Sequence, residues 1–177
     1  MLRIFDEQHP QTPLGPYGET SFRVFDSILR EFSIPDTISI ADLGCGRGRL
    51  CFWLTLVRKQ ATVIGLEKFP EFVHRAVRVQ KWLRLPQVRF IQNDWEALPL
   101  KGIDLVYLYG FTKEEHELRR LAQRLASLPG GTKIISVGFS LEDLLPGTFN
   151  LEQKREISFI WGTTEVFLQS VRAFLVQ

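Results

Sequence analysis

Apolar residues fall at two different spacings along this chain. In the segment TSFRVFDSILREF (20–32) they recur at Phe22, Phe25, Leu29 and Phe32, one face of a helix, with Thr20 or Ser21 placed to cap its first turn. Short runs rich in β-branched residues then follow: TISIAD (37–42), TVIGLE (62–67), VRFIQ (88–92), IDLVYLY (103–109) and TKIISVGF (132–139). Amphipathic helical patterns separate them at about 47–59, 70–84 and 112–127. The last of these opens on Thr112-Lys-Glu-Glu115, a capping-box spacing, and closes at Pro129-Gly-Gly131. Residues 93–102 leave room for a turn or two at most.

Strands that alternate with helices predict a parallel sheet covered on both faces. The C-terminal end departs from that rhythm. EISFIW (156–161) and TEVFLQSV (164–171) are two strand-like runs, and Gly162-Thr163 between them reads as the turn of a hairpin. The expectation is a single α/β domain over residues 1–177, with an N-terminal loop and helix at 1–36 and a Rossmann-like core at 37–177. A mostly parallel sheet finished by an antiparallel hairpin is the layout of the class I methyltransferases. A nicotinamide-binding domain would more often continue with further βα units.

Composition adds exclusions. With 22 basic and 20 acidic side chains the net charge is +2, too small to argue for a nucleic-acid partner by itself. The apolar runs fall short of a membrane span and Met1-Leu-Arg-Ile-Phe-Asp lacks a signal-peptide core, so no membrane association and a cytoplasmic location are expected. Cys45 and Cys51 fit neither a structural zinc site nor a disulfide framework. No metal-ligand cluster is visible, and His9 and His116 carry no assignable role.

Candidate chemistry centres on Ala41-Asp-Leu-Gly-Cys-Gly-Arg-Gly48, directly after the first β-run. Glycines at 44, 46 and 48 allow a tight turn that brings backbone amides against a ligand. A dinucleotide-binding turn would place its third glycine at position 49, which is Arg49. Asp42 suits the cationic amino acid end of S-adenosylmethionine better than a pyrophosphate. The segment closely resembles the methyltransferase pattern D-x-G-x-G-x-G. Glu67, at the end of the second β-run, is placed to accept hydrogen bonds from both ribose hydroxyls. Asp94 and Trp95 resemble the methyltransferase position that holds adenine, although a buried structural role for Trp95 stands beside that reading.

The N-terminal stretch PLGPYGET (13–20) has the composition of a shaped loop, with prolines that fix φ and glycines that open positive φ. YGETSF (17–22), the glycine loop, GLEK (65–68) and, more weakly, SFIWG (158–162) together resemble the non-SET histone lysine methyltransferases, the disruptor-of-telomeric-silencing family. The resemblance runs from about residue 13 to 170. It implies a lid that closes over the cofactor through Tyr17, Glu19 and Thr20, and a channel for the acceptor lysine lined by Trp161. One departure matters. Where that family carries an asparagine beside the transferred methyl, this chain has Tyr107-Leu-Tyr-Gly-Phe-Thr112, and Tyr109 is the candidate catalytic group. Small mitochondrial and bacterial lysine methyltransferases of similar layout also do without the asparagine. The long basic tail used on chromatin is missing, which argues against a nucleosomal substrate.

Residues 58–90 hold eight Lys or Arg against two Glu, a local +6, with His74, Arg75, Arg78, Lys81 and Arg84 striping the helix at 70–84. Such a stripe is either a solvated face or a surface for RNA or another anionic partner. The expected function is S-adenosylmethionine-dependent methyl transfer to a protein lysine. A methyltransferase of RNA or small molecules, a non-catalytic cofactor-binding module and a nicotinamide-dependent dehydrogenase are the competing readings.

Overall fold

The structure, a computed structural model, describes residues 11–12, 15–16, 20–58, 62–93, 102–109 and 114–173. Its elements in chain order are β1 (Gln11–Thr12), β2 (Gly15–Pro16), α1 (Phe22–Glu31), β3 (Ser39–Leu43), α2 (Arg49–Val57), β4 (Thr62–Glu67), α3 (Pro70–Leu83) and β5 (Val88–Gln92). They continue with β6 (Leu105–Tyr109), α4 (Glu115–Leu125), β7 (Lys133–Val137), α5 (Leu141–Leu144), β8 (Phe149–Phe159) and β9 (Gly162–Val171). β1 and β2 pair antiparallel by themselves. The other strands form one seven-stranded sheet in the order β5-β4-β3-β6-β7-β9-β8. β3 to β7 are parallel, while β9 runs antiparallel to both β7 and β8. The predicted α/β fold with its C-terminal hairpin is the one observed.

Two apolar layers cover the sheet. On one face Phe25, Ile28 and Leu29 of α1 and Leu50 and Leu54 of α2 pack on Ile40, Val63, Val88 and Leu105. α3 lies beside α2 over β4 and β5. On the other face Leu121, Ala122 and Leu125 of α4 and Leu141 of α5 pack on Ala41, Leu66, Val106 and Ile134. The central strands are buried on both sides, which is why LVYLY and IISV read as continuous apolar runs and not as alternations. No helix among the described residues is long and apolar enough to cross a membrane.

Local details settle the cap of α1 on one of the two residues the sequence offers and depart from the sequence reading in three other places. Ser21 caps α1, its hydroxyl accepting from the Val24 amide at 3.3 Å, whereas Thr20 turns inward. α4 is capped by Glu114 with Glu117 as the reciprocal partner, two residues beyond the predicted Thr112, which lies outside the described residues. The short α5 was not predicted; four residues are too few to show a period, and it is held by the buried Gln169, which accepts from the Glu142 amide at 3.0 Å. The hairpin turns at Ile160-Trp161, with Phe159 opposite Gly162, and not at Gly162-Thr163. Gly162 takes φ +131°, a region open to glycine, and so starts β9 immediately after the turn.

β8 is also longer than predicted. Its first half was hidden by a register shift between Leu151 and Gln153 that inserts one residue opposite β9. An extra residue reverses the alternation of side chains. Phe149 therefore packs on the α4 face while Ile157 and Phe159, an even number of residues away, pack on the α1 face. Glu152, Lys154, Arg155 and Glu156 on this edge strand discourage pairing with another chain.

Candidate active site

In a parallel sheet with helices on both faces, the crevice opens where neighbouring strands send their helices to opposite sides, beyond the strands' C-terminal ends. Here that point lies between β3, followed by α2 on one face, and β6, followed by α4 on the other. Asp42, the glycine loop, Glu67 and Tyr109 all sit at this end.

The loop takes the left-handed backbone that its glycines permit: φ is +80° at Gly44, +55° at Gly46 and +76° at Gly48. The amides of Gly44 and Cys45 both donate to the Leu66 carbonyl, at 2.8 and 2.9 Å, which folds the loop across the end of β4. Gly48 is also a packing requirement. A Cβ there would lie 2.4 Å from the Phe90 ring, so α2 starts directly against β5. Phe90 is a contributor that the sequence reading missed, because nothing local marks a strand residue as the floor of a loop two strands away.

Glu67 knits the site together. One carboxylate oxygen accepts from the Gly46 amide at 2.9 Å and the other from the Phe69 amide at 3.0 Å. Each oxygen keeps a second acceptor position, so ribose hydroxyls remain possible partners. Glu67→Gln puts an amide NH2 against one of those backbone donors and removes an acceptor. Losing a hydrogen bond to a charged group costs about 1.5–3 kcal/mol, or roughly ten- to a hundredfold in affinity. Calorimetry with S-adenosylhomocysteine is expected to show that loss, together with a lowered melting temperature from the strained loop. Unchanged affinity would remove Glu67 from the ribose site.

Asp42 is buried at the end of β3, where the Cys51 thiol of α2 donates to it at 3.6 Å. Burial pushes its carboxyl from 3.8 up to about 7; the Cys51 contact opposes this and the neighbouring Glu67 charge adds to it. Among the described residues no basic group neutralises it. A buried carboxylate in this state is suited to a cation, and the ammonium group of S-adenosylmethionine would supply one. The raised pKa gives a pH signature. Asp42 contributes stability to the empty protein that is full below its unfolded value and is lost as pH rises through about 7. A cationic ligand favours the ionised form, so its affinity is expected to fall as pH drops below 7, with a proton released on binding. Calorimetry at pH 6 in buffers of different ionisation enthalpy measures that proton, and Asp42→Asn should abolish it. A wild-type protein that releases none would place Asp42 away from the ligand's charge.

Thr20, expected on the cofactor, is buried with its hydroxyl 2.7 Å from that of Tyr107, and either group can donate. Tyr107 is paired across the sheet with Asp42, and its side chain lies edge-on to Phe25 at 4.7 Å. Thr20 thus ties the start of α1 to the strand beside Asp42. Arg49 of α2 lies 4.4 Å over the Phe22 ring, which stacks on Trp53 and so holds the same helix against α2.

Tyr109 ends β6, half-buried, and meets Trp161 edge-on at 5.4 Å. Trp161 in turn stacks on Phe159 at 4.7 Å. The structure therefore brings together the two residues assigned to catalysis and acceptor binding, and adds Phe159. Burial holds the Tyr109 phenol well above its ordinary value, so at neutral pH it is a hydrogen-bonding group and not a base. Tyr17, Glu19, Asp94 and Trp95 lie outside the described residues. No group of three potential metal ligands occurs among the described residues.

The chain was compared with known proteins at the levels of family, sequence and fold. Residues 35–143, more than half of the chain, match the family described as a methyltransferase domain. A trans-aconitate 2-methyltransferase of Azoarcus sp. (strain BH72) is 28% identical over 92 residues, 51% of this chain and 34% of that protein. The chain thus spans about a third of the length of this curated relative. Among solved structures, an RNA methyltransferase from Salinibacter ruber in complex with S-adenosyl-L-homocysteine superposes with a TM-score of 0.70 at 22% identity, covering 90% of this chain and 97% of that one. TrmN from Thermus thermophilus gives 0.68 at 18% identity, covering 82% and 47%, and the putative methyltransferase yhhF from Escherichia coli 0.68 at 16%, covering 90% and 92%. At these identities the structural matches speak to the fold alone. With the family match, the sheet order and the glycine loop in agreement, the chain belongs to the methyltransferase domain family, as a class I, S-adenosylmethionine-dependent member.

Proposed function

We propose that this domain methylates the side-chain amine of a lysine in a protein substrate. The observation that supports this acceptor is the aromatic corner made by Tyr109, Phe159 and Trp161 at the sheet end beside the glycine loop. Ring faces attract an alkylammonium group and cover its methylene stem. Exclusion of water then disfavours the charged form, so the amine would leave its proton in bulk water as it enters the corner and attack as the neutral base. Bound S-adenosylmethionine supplies a methyl group activated by its sulfonium and open to in-line displacement by the amine lone pair. Asp42 would hold the cofactor's ammonium, Glu67 its ribose and the loop from Gly44 to Gly48 its approach to the backbone. Tyr109 would orient the acceptor by hydrogen bonding, in the place where the resembled family uses an asparagine.

The curated relative is named for trans-aconitate and one of the structural relatives is an RNA methyltransferase by name, so the acceptor is the point to test. Cell extract incubated with the protein and cofactor carrying a tritiated methyl is expected to yield label in protein, recovered as methyllysine after hydrolysis. Label confined to RNA or to the small-molecule filtrate would overturn the lysine reading and leave methyl transfer intact. Tight cofactor binding with no transfer at all would make the domain a binding module.

A further inference from the structure

Helix α3 turns a row of side chains outward that the methyl-transfer chemistry does not use. Glu71, Arg75, Arg78 and Trp82 succeed one another at intervals of four, three and four residues, which places them in one line along the helix. The buried Val73 and Ala76 lie on the opposite side. Trp82 is 81% exposed, an unusual position for the largest apolar side chain on a helix whose other face is well covered. Lys81 and His74 border the row, and Arg84 follows at the helix end; all three are exposed.

The structure also sorts the local positive charge. Arg58 does not belong to this surface: it is buried, donates to the carbonyls of Ile34 and Pro35, and pairs with Asp36 at 3.1 Å. Arg89 alternates with Val88 and Phe90 on the edge strand and so points to the other face of the sheet. What remains on α3 is concentrated around Trp82. Among the described residues, the side chains of Arg75, Arg78, Lys81 and Arg84 form no ion pair or hydrogen bond, and their charge is left for an external partner.

We propose that the Arg75–Arg78–Trp82 row is a docking strip for single-stranded RNA, with phosphates on the guanidinium groups and an unstacked base on the indole. Guanidinium groups bind phosphate oxygens through paired N–H donors. An exposed aromatic ring among cations is the stacking platform that single-stranded nucleic acid uses. An acidic protein would use the charges and leave the indole without a role. A membrane surface would call for an apolar face along the helix, whereas on α3 only Val79 and Leu83 join Trp82 as exposed large apolar side chains, all near its C-terminal end. RNA is favoured over DNA because its loops and bulges routinely present splayed bases. Glu71 closes the row at the end nearer Glu67, so the anion is directed toward the far end of the helix. At about 1.5 Å per residue, Trp82 stands roughly 18 Å along the axis from Pro70. The strip therefore holds RNA at a distance from the methyl-transfer site, as a partner that positions the domain and not as its acceptor.

The test reads binding alone and is independent of the lysine proposal. The probe is a fluorescently labelled single-stranded RNA of mixed sequence, titrated by anisotropy at several salt concentrations. The wild-type protein should bind with a marked salt dependence. Trp82→Ala should weaken binding roughly five- to a hundredfold, the loss of one stacked base, with the salt slope unchanged. Trp82→Phe should retain most of the affinity. Arg75→Ala combined with Arg78→Ala should lower the slope of log K against log salt by about 1.4, from two released phosphate contacts at about 0.7 each. Melting temperature and S-adenosylhomocysteine affinity should stay the same in all three, since the side chains are exposed. Absence of wild-type binding, or binding indifferent to both substitutions, would overturn the proposal. So would loss of association with anionic phospholipid vesicles in Trp82→Ala while its RNA affinity is kept.

Discussion

Gly46→Val is expected to abolish measurable S-adenosylmethionine binding in a protein that still folds. Gly46 holds φ at +55°, and its amide donates to Glu67 at 2.9 Å. A left-handed conformation costs a residue with a Cβ about 1–2 kcal/mol, and a β-branched side chain more, because its γ-methyls meet the adjacent backbone. The loop would therefore move, and with it the donor that fixes the Glu67 carboxylate. Ligand space and the proposed ribose anchor would be lost together. The sheet does not depend on this residue, so circular dichroism should be unchanged while calorimetry shows no binding. Asp42→Ala should weaken binding less completely, since it removes one partner and leaves the loop in place. A folded Gly46→Val protein with wild-type affinity would refute the placement of the cofactor.

The second large effect is expected at the hairpin turn. Trp161→Ala removes a ring that contacts Tyr109 edge-on and stacks on Phe159. A desolvated cation–π contact and an aromatic pair together contribute about 2–3 kcal/mol, or roughly 30- to 150-fold in kcat/KM. Cofactor affinity should not change, because the proposal puts Trp161 on the acceptor side. Trp161→Phe should recover most of the activity. If S-adenosylhomocysteine affinity fell in parallel with turnover, Trp161 would belong to the cofactor pocket and the acceptor channel would have to be sought elsewhere.

Much of this architecture is written in local pattern. The helix at Phe22–Glu31, the strands at Thr62–Glu67 and Val88–Gln92 and the loop of Asp42 to Gly48 each follow from spacing, capping or glycine chemistry within a few residues. Their identities report on their own backbone, and so they can be read without neighbours. The hairpin was legible for the same reason, but its turn was not. Gly162-Thr163 has turn composition, yet the pairing of Phe159 with Gly162 puts Ile160 and Trp161 at the tip. Cross-strand register, not turn propensity, makes that choice.

Contacts between residues far apart in the chain carry no such signature. Thr20 was legible as a cap or a lid residue; only packing against β6 engages its hydroxyl with Tyr107, 87 positions away. The Asp42 carboxyl is ordinary in sequence, and becomes a group that titrates near neutrality because α1, α2 and the sheet exclude water from it. The inserted residue near Leu151 sends Phe149 to one layer and Ile157 to the other, a consequence of pairing with β9 that no periodicity in β8 reveals. Arg58 and Arg78 look alike in a count of charges. One is buried against Asp36 and the other faces solvent beside Trp82, because burial is settled by what the rest of the chain brings next to a residue and not by the residue itself.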